Sequence, residues 1–244
     1  MTTTLAGSVV PRPAVKAKRV FVPLAVLAAV MAFVGFWPTY FGPVLAGTDR
    51  HGLLIHLHAA VFVTWLALFT AQAALAATGR IAQHIRLGPW LFAFGVLLIL
   101  MGLAVAFGRF GEEVVAGNLA TAQGKLFAPL RDMIVFTPFL AAGWIYRRRP
   151  EIHKRCMLVA TTILLVAAVS RMKFLGAPPP NPLYLLVWPL PIYIAMVHDY
   201  AAKRLTHPVY VIGVLAMVGM RLVAPLRGTQ TWLDLTAWLA TLYH

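Results

Sequence analysis

The sequence predicts an all-α fold, a polytopic transmembrane helical bundle of about seven spans with the N-terminus inside and the C-terminus outside. The first observation behind this prediction is composition, because 61% of the 244 residues are hydrophobic and only 11% are charged. Soluble domains average about 45–50% apolar and about 25% charged residues. The other two observations are the lengths of the apolar segments and the unequal distribution of lysine and arginine between them.

The apolar segments have the length that a membrane helix needs. A hydrocarbon core of about 30 Å is crossed by about 20 helical residues. The spans predicted on this basis are residues 20–40, 53–76, 88–107, 127–146, 156–175, 183–201 and 208–226. We therefore expect a cytoplasmic N-terminal tail (1–19), a transmembrane helical bundle (20–226) and a C-terminal interfacial segment (227–244).

The first span is predicted to be retained and not cleaved as a signal peptide. Its apolar run continues into FWPTYFGP, beyond the about 7–15 residues of a signal h-region. Among the later connections, the longest is predicted at GRFGEEVVAGNLATAQGK, and the Pro-rich GAPPPNP precedes the sixth span. Pro138 and Pro189 are candidates to break the fourth and sixth spans, because proline removes a helical hydrogen bond.

Lysine and arginine predict the orientation. With the N-terminus inside, 13 of the 21 cationic residues fall on the inner side, which is the arrangement that the positive-inside rule favours. The loop RRRPEIHKRCML is then cytoplasmic, and its cations attract anionic headgroups at about 1 kcal/mol each. The net charge of +14 does not indicate nucleic acid binding, because the cations lie in short clusters between apolar runs. The expected partner is the lipid bilayer.

Polar residues of the second span lie on one helical face. His51, His58, Trp65 and Gln72 recur at intervals of seven, so they form one stripe along the helix. Polar side chains are costly to expose to lipid, and we expect this stripe to face the interior of the bundle.

Ionisable residues of several spans are predicted to share one outer layer. At a rise of about 1.5 Å per residue, the second, fourth, fifth and seventh spans carry such groups at similar depth. The candidate ligand or proton site consists of His58, Asp132, Arg171, Arg221 and Gln72. Asp132 is expected to pair with Arg171, Arg221 or His58, because Arg131 projects about 100° away on a helix. In the alternative interpretation, the arginines of the layer extend to the outer headgroups and Arg131 neutralises Asp132.

A second layer is predicted at the cytoplasmic helix ends. It contains the candidate metal ligands His84, His153, His198 and Asp199. Histidine with carboxylate suits zinc, iron or copper, so a transition metal is one predicted cofactor. Neither HExxH nor a histidine pair at i, i+4 is present, and ordinary interfacial histidines are the alternative interpretation.

Several specific chemistries are disfavoured. The last span, HPVYVIGVLAMVGMRLVAPL, contains no lysine for a retinal Schiff base. A transmembrane b-type haem needs facing histidines at one depth, and no histidine is predicted opposite His58 at its depth. Cys156 is the single cysteine, so an intrachain disulfide and a paired-cysteine metal site are impossible.

Four segments carry a resemblance to a known group of proteins: HLHAAVFVTW, GRIAQHIRLG, RRRPEIHKRCMLVAT and HDYAAKRLTHPVY. The chain resembles a group of small, uncharacterised bacterial multi-pass membrane proteins, from the second span to the seventh. The resemblance implies a location in the bacterial inner (plasma) membrane. It implies no activity and no catalytic residues.

Three functional hypotheses follow. In the first, the bundle binds a ligand or metal, for redox or lipid-linked chemistry. In the second, the protein is a proton-coupled transporter or carrier, with His58, Asp132 and Gln72 lining a path. In the third, it is a non-catalytic accessory or assembly subunit of a membrane complex. The sequence contains no catalytic motif that decides whether the protein is an enzyme.

Overall fold

The computed structural model describes residues 19–175 and 182–243, and this part of the chain contains helices and no strand. The Pro-rich stretch GAPPPNP lies largely outside the described residues, as do the first 18 residues and His244. The helices are α1 (Phe21–Phe36), α2 (Gly42–Leu45), α3 (Leu53–Ala77), α4 (Ile81–Val115), α5 (Leu119–Ile145), α6 (Pro150–Leu164), α7 (Val166–Val169), α8 (Pro182–Val187), α9 (Leu190–Lys203), α10 (Pro208–Leu222) and α11 (Gln230–Ala240). A π-helical turn, Trp37–Phe41, joins α1 to α2.

Six helical stretches of the described chain are long and apolar enough to cross a membrane. They are Phe21–Leu45, Leu53–Ala77, Ile81–Val115, Leu119–Ile145, Pro150–Val169 and Pro208–Gly228. The all-α prediction and the membrane-spanning character of the chain are thereby confirmed.

The predicted span at 183–201 has a different form. It is divided into α8 and α9 at Trp188 and Pro189, because proline has no amide hydrogen and restricts the residue before it. Neither piece alone is long enough to cross a bilayer. The count of seven spans and the orientation of the chain therefore stay predictions.

Helix α6 lies at the centre of the bundle. Every residue from Arg155 to Leu164 is buried, and α6 packs against α1, α5, α9 and α10. The helices around it expose large apolar side chains such as Leu100, Ile134 and Leu215. Apolar surface of this extent is what a lipid environment accommodates.

Helices α4 and α5 extend well beyond their predicted spans at 88–107 and 127–146. The predicted long connection between them is wrong, because only residues 116–118 separate the two helices. Gly117 makes this short turn possible with a φ of +77°, a conformation that glycine adopts without strain. With 35 residues, α4 is about 52 Å long at the usual helical rise. The α4–α5 hairpin is therefore longer than a hydrocarbon core is thick.

The C-terminal segment folds onto this hairpin. Trp232 of α11 donates its indole N–H to the carbonyl oxygen of Gln123 at 3.2 Å, and the Gln123 amide donates to the carbonyl of Leu233 at 3.1 Å. Phe110, Val114 and Leu126 form a small apolar cluster beneath α11. The end of the hairpin and α11 therefore share a small apolar cluster that is separate from the main core around α6.

Candidate functional site

A cavity of about 590 Å³ lies at the end of the bundle where α1 and α7 finish and α3 begins. Much of its wall is apolar, with Phe36, Phe62, Leu98 and Met133 among the lining residues. Helical spacing explains why these side chains share one wall. On α5, for example, residues 125, 129, 132 and 133 line the cavity, and an i, i+4, i+7, i+8 pattern occupies one helical face.

Three residues of the predicted outer layer meet at this cavity. His58 of α3, Asp132 of α5 and Arg171, just after α7, all line it, although they are far apart in sequence. Counting residues from the helix ends predicted this convergence, because the three groups lie at similar depth. Their functional role stays a prediction.

Arg171 has no carboxylate partner among the described residues. Its guanidinium donates to the Ala167 carbonyl at 2.5 Å and lies 4.8 Å from the centre of the Phe36 ring. Neither contact neutralises its charge. His58 is also incompletely satisfied, because its Nδ1 atom is buried and has no hydrogen-bond partner in the described chain.

Asp132 is paired with its neighbour Arg131, as in the alternative interpretation of the sequence. Its Oδ1 accepts from Arg131 Nη2 at 2.7 Å and from Arg131 Nε at 3.1 Å. The expectation that its partner would be Arg171, Arg221 or His58 is wrong, because the long Arg131 side chain folds back towards its neighbour. Arg131 is fixed there by a second bond, from Nη1 to the carbonyl of Met220 on α10 at 3.0 Å.

Two further members of the predicted outer layer lie outside the cavity wall. Arg221 stacks on Tyr184 of α8, with 5.0 Å between the guanidinium carbon and the ring centre. Gln72 was placed in the wrong layer. It follows His58 by 14 residues, about 21 Å along a helix, and its amide donates to the carbonyl of His84 at 3.2 Å.

A hydrogen-bonded network lies at the mouth of the cavity. Asp49 is 2.5 Å from Nδ1 of His51 and 3.1 Å from Nε2 of His56, and Tyr40 is 3.1 Å from Nδ1 of His56. The hydrogen bond with His51 lowers the pKa of Asp49 below its ordinary value. An ionised Asp49 holds the His51 ring in place, and His51 lines the cavity. An imidazole oriented by a carboxylate in this way can exchange protons with a bound ligand.

Sequence reasoning missed two cationic residues of the cavity wall, Arg109 and Lys125. Both fall in the stretch predicted as a long loop. Each has a carboxylate partner: Arg109 lies 3.3 Å from Glu112, and Lys125 is ion-paired with Glu113. The seven-residue interval from Lys125 to Asp132 was the available signal, because it continues the polar face of α5 beyond its predicted start.

The predicted four-residue metal set does not assemble. In the part of the chain that the structure describes, no group of three or more histidine, cysteine, aspartate or glutamate side chains could hold a metal ion. Asp199 is committed to a buried ion pair with Arg155, which also bonds Glu151 at 2.7 Å. His84 and His153, in contrast, do approach each other, with 6.1 Å between their ring centres.

These features define the class of the protein: a helical membrane protein with a cavity lined by apolar and ionisable side chains. Comparison of the chain with known protein families, with curated proteins and with solved structures finds no match.

Proposed function

We propose that this protein lies in the bacterial inner membrane as a multi-pass protein, and that it binds an amphiphilic ligand with an anionic head in the cavity between α1, α3, α4, α5 and α7. The observation that carries the proposal is Arg171, which lies in the wall of a largely apolar cavity and has no carboxylate partner among the described residues. The volume of about 590 Å³ falls within the about 300–1,000 Å³ of typical small-molecule sites.

The charges around the cavity favour an anionic group. Arg109 and Lys125 have glutamate partners, and Asp132 has Arg131, so these pairs largely balance. Among the described cations that line the cavity, Arg171 is the one without a carboxylate partner. A guanidinium binds phosphate or carboxylate through parallel charge-assisted hydrogen bonds, and His51 and His58 provide further imidazole nitrogens nearby.

The apolar walls favour a hydrocarbon body on the same ligand. Phe62 and Leu98 line the cavity together with Met133 and Leu164, and burial of each methylene group contributes about 0.8 kcal/mol. A ligand that carries both an anionic head and an alkyl chain matches both parts of the wall. Lipid-linked chemistry, with His51 as the proton-exchanging group, is the reaction type that this arrangement supports.

A ligand series tests the proposal. The purified protein is titrated in one detergent with dodecyl phosphate and with dodecanol, and the midpoint of thermal unfolding is measured, because a ligand stabilises the state that it binds. Dodecyl phosphate is expected to raise the midpoint of the wild type more than dodecanol does. Arg171→Gln is expected to weaken dodecyl phosphate binding at least about tenfold, because a hydrogen bond to a charged group contributes about 1.5–3 kcal/mol.

The matched control is Arg227→Gln. Arg227 is an exposed cation in the turn Ala224–Gly228 and does not line the cavity. It is expected to leave binding unchanged. Equal binding of dodecyl phosphate to the wild type and to Arg171→Gln would contradict the proposal.

A proton-coupled carrier is the second candidate, and one feature of α5 favours it. Pro129 and Pro138 lie inside this helix on either side of Asp132. Each proline removes one backbone hydrogen bond from the continuous helix, and weakened helix segments beside an ionisable group are a feature of transporter binding sites. In proteoliposomes, a carrier of this kind takes up ligand faster when a pH gradient is imposed, and Asp132→Asn removes that dependence. Uptake that is indifferent to the gradient excludes this alternative.

A further inference from the structure

His84 and His153 lie at the end of the bundle opposite the cavity, and each ring is anchored through Nδ1. His84 is on the first turn of α4, and its Nδ1 is 3.2 Å from the carbonyl oxygen of Gln72. His153 is on the first turn of α6, and its Nδ1 is 2.7 Å from the carbonyl oxygen of Gly143. A carbonyl oxygen only accepts hydrogen bonds, so Nδ1 carries the proton in both rings.

This tautomer leaves a lone pair on Nε2 of each neutral imidazole. Neither Nε2 atom has a hydrogen-bond partner among the described residues, and both rings are partly accessible. The ring centres are 6.1 Å apart. Two imidazoles bound to one ion at nitrogen distances of about 2.0–2.1 Å have centres about 5–6.5 Å apart. The spacing therefore suits one shared ion.

Gln72 supplies an independent observation. Its side-chain amide nitrogen donates to the main-chain carbonyl of His84, and its main-chain carbonyl accepts from Nδ1 of the His84 ring. Gln72 is therefore bonded to His84 through both its side chain and its main chain. Its remaining polar atom, Oε1, is buried and has no partner within the described chain. Gln72 is only 5% exposed, and a buried acceptor without a partner costs about 1–3 kcal/mol. A ligand or ion beside Oε1 would satisfy this acceptor.

We propose that His84 and His153 bind one late first-row transition-metal ion through their Nε2 atoms, with Gln72 Oε1 or water in the remaining positions. A metal-binding histidine usually donates its other ring N–H to a carbonyl or carboxylate, and both rings are already held in this way. Magnesium and calcium prefer carboxylate oxygens. The nearest acidic residue in sequence, Glu151, is ion-paired with Lys154 and Arg155.

This site differs from the four-ligand set predicted from the sequence. Asp199 is held by Arg155, and His198 lies beside Asp199 at 3.9 Å. The proposal therefore assigns no metal-binding role to His198 or Asp199. It is also independent of the cavity ligand, because the two sites lie at opposite ends of the bundle.

Asparagine variants test the proposal without removing the Nδ1 contacts. In His84→Asn and His153→Asn, the side-chain amide can still donate to the same carbonyl, but Nε2 is lost. Protein purified without a polyhistidine tag is titrated with Zn²⁺ against a chromophoric chelator, and bound zinc is counted by elemental analysis. His198→Asn is the matched control.

The wild type is expected to bind one zinc per chain. Each of the two variants is expected to weaken zinc binding more than about 100-fold. Loss of a group that only holds a metal ligand in place costs less, about 10–100-fold. His198→Asn is expected to leave zinc binding unchanged. Zinc binding that survives both substitutions, or that His198→Asn weakens equally, overturns the proposal. X-ray absorption of the zinc-loaded wild type gives an independent measurement: two imidazoles support the site, and none or one contradicts it.

Discussion

Asp132 and Arg131 show how a flexible side chain changes the partner of a buried charge. Helical geometry separates the Cβ directions of adjacent residues by about 100°, yet the guanidinium of Arg131 reaches back to the Asp132 carboxylate at 2.7 Å. The long stem of arginine makes this possible, and the bond from Arg131 to the Met220 carbonyl fixes it. The partner of a charged residue thus depends on contacts from another helix, here α10, which the sequence does not display.

The ion pair of Arg155 with Asp199 gives a residue-scale prediction about stability. Arg155 is 1% exposed and Asp199 7% exposed, and the carboxylate accepts from Nε of Arg155 at 3.0 Å. Replacing Asp199 by Ala leaves an almost fully buried cation whose other partner, Glu151, bonds only Nη1. The loss of one member of a buried pair destabilises by about 3–5 kcal/mol.

Denaturant unfolding in detergent measures this loss. The matched control is Asp234→Ala, because Asp234 lies on the exposed face of α11 beside Gln230. Such a surface change is expected to stay within about 0.5 kcal/mol. If Asp199→Ala is as stable as this control, the buried ion pair does not stabilise the fold.

At the scale of helices, hydropathy located the apolar segments but not the ends of all helices. The predicted span at 53–76 closely matches α3, Leu53–Ala77. Helices α4 and α5 instead continue through polar residues such as Arg109 and Lys125, because α11 packs on the end of their hairpin. A hydropathy pattern reports the lipid-facing length of a helix. It cannot report an extension that depends on tertiary contacts. The predicted break at Pro189 is present before α9, whereas the break predicted at Pro138 is wrong, because α5 continues through this proline.

Gly35 gives a prediction about helix packing. A Cβ atom at this position of α1 would overlap the backbone of Ala168 in α7, and backbone atoms cannot move aside as a flexible side chain can. Small residues allow this kind of close helix approach in membrane proteins. Gly35→Ala is therefore expected to destabilise the fold by about 1–3 kcal/mol, as overpacking does.

Gly124 in α5 provides the opposite case, because a Cβ atom there meets nothing within 4 Å. Gly124→Ala is expected to stabilise by about 0.5–1 kcal/mol through helix propensity. The two variants, compared in the same unfolding assay, should change the midpoint in opposite directions. A Gly35→Ala protein as stable as Gly124→Ala would show that α1 and α7 are not in close contact.

At the scale of the whole molecule, the candidate site was only partly predictable. Counting residues inward from the helix ends brought His58, Asp132 and Arg171 to one depth, and all three line the cavity. The same count did not apply to Arg109 and Lys125, because α4 ends later and α5 begins earlier than hydropathy indicates. Gln72 was misplaced because a stripe along one helix crosses the whole membrane, so a shared face does not imply a shared depth.

Orientation is a further whole-molecule prediction. The inner side is expected to carry 13 of the 21 cationic residues, which places the loop Arg147–Arg155 in the cytoplasm and the C-terminus outside. Fusions after His244 to a reporter active only in the cytoplasm and to one active only outside measure this directly. Activity of the cytoplasmic reporter at His244 would contradict the predicted topology.

The central claim is that the cavity holds an amphiphilic ligand, and native mass spectrometry of protein extracted from its own membrane tests it most directly. Ala59 lines the cavity, and its neighbour Ala60 is exposed on the outer face of α3. The wild type and Ala60→Trp are predicted to retain an anionic amphiphile as a stoichiometric mass adduct, and Ala59→Trp, which fills the cavity, is predicted to lose it. Retention of the same adduct by folded Ala59→Trp would contradict the account, as would a wild type that carries no such adduct.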